Sequence, residues 1–153
     1  MIYRLHRKQF LSASIEEVWA YFSNPKNLNE ITPPDLHFEI IAGADEPMYE
    51  GQIIEYRVQF VPGWRSVWLT EIAHVRPGEY FVDEQRLGPY RFWYHEHRFR
   101  PQGNGVWMTD HVTYIPPFAW LGDVVHALWI HRRLEQIFDY RARRIAELFG
   151  GGR

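Results

Sequence analysis

Apolar and polar positions change period several times along the chain, and each change marks an element. Residues 2–11 alternate as a half-buried strand does. Ser14 then stands three residues before Glu17, the spacing of a capping box, and Ile15, Val18, Trp19 and Phe22 recur at helical intervals. This predicts a short amphipathic helix over 15–23. Asn24-Pro25 stops it and starts a second short helix, with Asn24 as N-cap and Pro25 at the first helical position. That helix buries Leu28 and Ile31 and ends at Thr32-Pro33-Pro34.

From there the period is two. Strands are predicted over 36–42, 52–60, 64–75, 80–87, 90–100 and 106–115, divided by turn residues such as Pro62-Gly63, Pro77-Gly78, Gly88-Pro89 and Gly103-Asn104-Gly105. Ile54, Tyr56, Val58 and Phe60 share one face of their strand; Trp68, Thr70 and Ile72 alternate in the next. Connections this short imply an antiparallel meander. Pro116-Pro117 breaks it. From Leu121 to Phe149 there is no Pro and, after Gly122, no Gly. Val124, Val125, Leu128, Leu134, Phe138, Ala142, Ile145, Leu148 and Phe149 form an apolar stripe. A helix of this length spans roughly 42 Å at about 1.5 Å per residue, enough to cover a sheet. The expectation is an α+β protein: a seven-stranded antiparallel sheet curved around a long C-terminal helix, with two short helices after strand 1. Residues 1–149 form one domain and 150–153 a Gly-rich tail.

Residues 91–99, Arg-Phe-Trp-Tyr-His-Glu-His-Arg-Phe, sharpen this picture. Trp93, His95, His97 and Phe99 fall on one face; Phe92, Tyr94, Glu96 and Arg98 fall on the other. A face of rings and hydrogen-bonding groups suits the lining of a cavity better than a plain aliphatic core. Aromatic residues make up 17% of the 153-residue chain, which strengthens that reading, since Trp and Tyr join large apolar area to a polar handle. Tyr56, Trp68, Tyr114 and Trp129 are further candidates for the wall, and each is also explicable as ordinary core.

Several functions are excluded or disfavoured. The net charge of −2 gives no footprint for nucleic acid. The absence of cysteine removes disulfides, thiolate catalysis and Cys-based zinc sites. There is no Gly-x-Ser-x-Gly elbow and no Gly-rich phosphate loop. No apolar run is long enough to span a membrane and no signal-peptide core opens the chain, so a cytoplasmic location is expected. No cofactor is expected.

Pairing Phe99 with Val106 across the last hairpin sets His97 against Met108, His95 against Asp110 and Trp93 against Val112. His95 and Asp110 then meet on the inner face, where the carboxylate would fix the imidazole tautomer and raise its pKa. Asp83 joins them if the Gly88-Pro89 loop has three residues; a two-residue loop brings Glu84 instead. The catalytic candidates are His95 and His97 as proton donor or acceptor, with Asp110 as orienter. The alternative is a buried, mutually satisfied network with no chemistry. His-x-His also raises the question of a metal. Asp110 is its only obvious third ligand, His111 faces away, and no metal is expected. His126 and His131, five apart on the long helix, make poor partners. Arg141 either pairs with a carboxylate at the helix–sheet edge or holds a ligand carboxylate or phenolate.

The sequence resembles the START/Bet v 1-like (SRPBCC) superfamily, and within it the small bacterial proteins described as cyclase/dehydrase-like or ligand-binding. The resemblance rests on Asn27-Leu28 with Ile31-Thr32-Pro33, Trp68-x-Thr-x-Ile72, and Phe81-x-Asp83-x-Gln85-x-x-Gly88-Pro89. It continues through Trp93-x-His95-x-His97-x-Phe99, Asp110-x-Val112-x-Tyr114-x-x-Pro117 and Phe138-x-Tyr140-Arg141. It implies a helix-grip fold with a ligand cavity between sheet and C-terminal helix. The expected partner is a small hydrophobic molecule, aromatic ones included, bound through Tyr56, Trp68, Asp83, Gln85, Trp93, His95, His97, Phe99, Asp110, Tyr114, Trp129 and Arg141. A polyketide aromatase/cyclase-like enzyme is the alternative. A filled interaction module, including a homodimer, is the third reading.

Overall fold

The alternating segments become seven strands of one antiparallel sheet. The computed structural model describes residues 1–117 and 123–150. In chain order these are β1 (Tyr3–Leu11), α1 (Ile15–Phe22), β2 (Glu39–Ala42), β3 (Ile53–Val61), β4 (Trp64–Arg76), β5 (Tyr80–Leu87), β6 (Phe92–Gln102), β7 (Gly105–Ile115) and α2 (Asp123–Phe149). The sheet runs β1-β7-β6-β5-β4-β3-β2. Successive strands pair as hairpins, and β1 returns to close against β7. This is the α+β helix-grip architecture, with α2 lying along the inner face of the curved sheet.

Local chemistry explains where the elements begin and end. Ser14 Oγ accepts a hydrogen bond from the Glu17 backbone N–H at 3.2 Å and starts α1. Asn24 Oδ1 likewise accepts from Lys26 N at 3.1 Å. The segment it caps, Pro25–Ile31, is a 3₁₀ helix rather than an α-helix. A further 3₁₀ turn, Pro34–Leu36, ends at His37 in a left-handed conformation with φ 45°. That turn takes the first residues of the expected second strand, so β2 is short and begins at Glu39.

α2 is covered along one seam. Ala127, Ile130, Leu134, Phe138, Arg141 and Ile145 are buried at spacings of three and four. The expected stripe is therefore corrected at its beginning and, at the exposed Leu148, near its end. Val124 and Val125 are 72% and 75% exposed, and Leu128 is also exposed. Leu121 and Gly122, the predicted helix start, and the tail 151–153 lie outside the described residues, as does the His126 side chain. Among the described residues, no helix is long and apolar enough to cross a membrane.

The interior has two apolar clusters. One gathers Tyr56, Ile72, Trp93, Val112, Leu134 and Phe138; the other gathers Leu11, Val18, Phe22, Phe81, Phe99 and Ile145. Between them, on β6, β7 and α2 in turn, sit His95 and His97, Asp110, and Arg141. All four are buried. A belt of polar groups thus crosses the middle of an otherwise greasy interior.

Candidate functional site

The belt is built by strand register. Phe99 lies opposite Met108, His97 opposite Asp110, His95 opposite Val112 and Trp93 opposite Tyr114, and the hairpin closes at Gln102–Gly105 around Gly103-Asn104. This corrects the expected pairing by two residues. An even shift keeps every side chain on its face, so His95 still reaches Asp110, now diagonally: Nε2 to Oδ1 is 2.7 Å. Asp83 lies opposite His95 on β5, and Glu84 opposite Tyr94 on the outer face. The loop parity thus selects Asp83. Its Oδ2 is 2.6 Å from His97 Nε2 and 3.6 Å from His95 Nδ1. Its Oδ1 accepts the Trp93 indole N–H at 3.2 Å.

Two carboxylates therefore bracket two imidazoles whose rings stack 3.6 Å apart. Phe81 stacks on the outer face of His97 at 4.1 Å. Arg141 lies behind, its Nη2 3.7 Å from Asp110 Oδ1. Burial opposes the charge on Asp110, but Arg141, the His95 hydrogen bond and the adjacent His97 ring outweigh it and hold the carboxyl well below its ordinary range. Burial opposes ionisation of Asp83 too, yet His95 and His97 hold it low. The imidazoles are pushed apart. Burial, helped by the neighbouring His97 charge, lowers His95. For His97 burial is overcome by the Asp110 carboxylate, 3.3 Å from its Nδ1, and by the Asp83 hydrogen bond, and its pKa rises. The two imidazoles are thus shifted in opposite directions.

Asp83, His95 and His97 also place three ligand-type atoms within 4.8 Å of one another. The carboxylate that joins the histidines in this triad is Asp83, not Asp110. The ring geometry argues against a single ion there. An imidazole binds a metal in its own plane at about 2 Å. The two ring planes are inclined by only 26° at a 3.6 Å separation, so they converge far beyond a bond length.

Beside the belt, between sheet and α2, lies a cavity of about 180 Å³. Asp83, Trp93, His95, His97 and Arg141 reach its wall, as do Tyr56 and Trp68 from β3 and β4. The other sequence candidates lie elsewhere. Gln85 is committed to the backbone of Tyr90, donating to its carbonyl at 2.6 Å and accepting from its N–H at 3.0 Å. Phe99 packs against Phe22 and Trp19. Asp110 stands behind the histidines. Tyr114 is fully buried beside Tyr3 and Tyr90. Trp129 is 44% exposed and meets Phe60 at its edge. His111 faces outward, beside His6, as alternation required. His131, half-exposed, has its Nδ1 3.5 Å from the Tyr114 hydroxyl.

Sequence reasoning missed Tyr90, Thr70 and Phe60, which also line the cavity. Tyr90 had the outward parity of Phe92 and Tyr94. The bend ahead of β6 reverses that parity and turns Tyr90 inward, where it contacts Trp68 and Trp93. Thr70 and Phe60 share faces with Trp68 and Tyr56, and that periodicity was the available signal.

No protein-family model matches the chain, and no curated protein matches its sequence. Solved structures do match its fold. A Chromobacterium violaceum protein is 20% identical with a TM-score of 0.70, the match covering 98% of both chains. The Zhui aromatase/cyclase from Streptomyces sp. R1128 is 13% identical with a TM-score of 0.74, covering 95% of this chain and 92% of that one. A START superfamily protein from Mycobacterium smegmatis is 14% identical with a TM-score of 0.69, covering 95% and 98%. At these identities the likeness shows the fold alone, the helix-grip fold that these proteins share.

Proposed function

We propose that the protein binds a small, mainly apolar cyclic molecule in the cavity between the sheet and α2. The observation that carries this reading is the 180 Å³ space walled by Tyr56, Trp68, Trp93 and Phe138 beside a buried polar belt. Natural cores are close-packed, with few voids larger than a water molecule. A dry cavity of about 150 Å³ accommodates benzene. The space therefore suits one or two fused rings rather than an extended multi-ring chain. Flat rings have flat neighbours here, since Trp68 meets Tyr90 and Trp93 edge-to-face along one wall and those two rings tilt against each other.

Native mass spectrometry of freshly purified protein tests the reading. The expected results are a retained small molecule released on denaturation, or a one-to-one complex when naphthalene is added to ligand-free protein. Failure of any such complex to form at saturating probe rejects it.

A second reading is supported by the split between the imidazoles: the belt would exchange protons with a ligand, as an aromatase/cyclase-like enzyme requires. His95 and His97 would move the proton, and Asp110 would orient them. With a turned-over substrate in hand, His95→Ala would lower kcat far more than affinity; equal losses would favour binding alone.

A further inference from the structure

The belt meets the cavity unevenly. The Asp110, His95 and His97 side chains are only 4% to 5% exposed, whereas that of Asp83 is 18% exposed and lines the cavity. Trp93 donates to one Asp83 oxygen and His97 contacts the other. A carboxylate has about four lone-pair sites, so acceptor capacity remains on the side facing the space. Arg141 adds a donor to the same lining, because its buried Nε has no partner among the described residues.

Charge decides what that capacity receives. Asp83 and Asp110 stand against one fixed cation of the described lining, Arg141, with the two imidazoles between them. An incoming anion would set a third negative charge beside Asp83 in a poorly hydrated space, with a large desolvation penalty. A neutral hydroxyl brings the missing donor and no charge. A bare hydrocarbon would cover Asp83 and leave it less well solvated.

We infer that Asp83 is the polar anchor of the cavity, and that the ligand is an uncharged molecule of one or two rings bearing a hydroxyl group that donates to Asp83. This rests on the ligand-binding reading above. It further specifies that the cavity favours a hydroxylated ring over both the bare ring and its carboxylate.

Calorimetric titration with naphthalene, 2-naphthol and 2-naphthoate near neutral pH separates the two levels. 2-Naphthol should bind about tenfold or more tightly than naphthalene, the scale of a hydrogen bond to a charged acceptor, and 2-naphthoate should bind weakest. In Asp83→Asn the ratio of 2-naphthol to naphthalene affinity should fall to about threefold or less, since a neutral acceptor makes the weaker bond. If naphthalene binds wild-type protein as tightly as 2-naphthol, or 2-naphthoate binds best, the inference is overturned while the cavity reading stands. A hydroxyl preference that survives Asp83→Asn also overturns it. No binding by any of the three rejects both. Should the variant fail to fold, carboxylate ¹³C NMR of wild-type protein replaces it: the Asp83 signal should move when 2-naphthol binds and stay when naphthalene does, and a signal unmoved by 2-naphthol overturns the inference.

Discussion

Asp110 shows how much rests on single side chains in the belt. It lies against His95, His97 and Arg141 with almost no contact with water. Removing one partner of a buried charged set leaves the others unpaired, typically a loss of about 3–5 kcal/mol. Asp110→Ala should therefore lower the urea-unfolding free energy by about that amount, and a loss below about 1 kcal/mol would show that the belt does not hold the fold. The same cluster sets a pH dependence. His97 has a raised folded pKa, so its contribution is full below the unfolded value of 6.5 and is lost as pH rises through the folded value. His95 is lowered, so its contribution is present above 6.5 and lost as pH falls through its folded value. Asp83 and Asp110 add a further loss in acid, as pH drops below 3.8 through their lowered values. Stability should thus peak near pH 6.5 and fall on both sides, which denaturant midpoints across a pH series would reveal.

At this scale the sequence was legible wherever parity alone decided the outcome. His95 meets Asp110 whether the hairpin pairs one way or two residues further along, because both registers keep the faces. Asp83 hinged on whether a loop had an odd or even count, which strand periodicity does not supply. Gln85 carried no sign that its amide would hold the Tyr90 backbone instead of a ligand.

Among the elements, the last hairpin is tightly constrained where β7 begins. A Cβ on Gly105 would stand 2.4 Å from the Leu11 carbonyl oxygen and 2.3 Å from Phe10 Cζ, so β7 can start beside β1 only without a side chain there. The Phe10 ring can swing aside, but the backbone oxygen cannot. Gly105→Ala should destabilise the protein by about 1–3 kcal/mol, the usual range for overpacking. The denaturant slope should stay unchanged, because the surface exposed on unfolding is the same. An unaltered midpoint would show that β1 can move away from β7. Element types and order followed from periodicity and turn residues. The 3₁₀ segments escaped because Pro25 and Pro34 are compatible with either helix type at a first turn. The exposure of Val124, Val125 and Leu128 escaped because an apolar stripe says which face is greasy, not how much of it the sheet covers.

For the molecule as a whole, strand order and the covering helix specify the helix-grip fold, and solved structures at 20% identity and below share it. The ligand was not legible in the same way. A cavity is what side chains fail to fill, and its shape depends on how rings from five or more elements meet. Filling it should be visible globally. A ligand at about 100 times its Kd adds roughly 2.7 kcal/mol to stability, so 2-naphthol at that excess should raise Tm by several degrees. A bound probe that leaves Tm unchanged would have equal affinity for the unfolded chain, and would not be reading a cavity of the fold.

The space between the sheet and α2 also bears on how the protein responds to compression. Hydrostatic pressure favours whichever state occupies less volume, and unfolding abolishes internal voids. A space of 180 Å³ corresponds to about 110 mL/mol, and the share of it that water does not reach enters the unfolding volume change, which scales with internal voids without equalling them. A molecule seated between the sheet and α2 removes that share, so it should act as an incompressible prop and raise the pressure at which the protein unfolds.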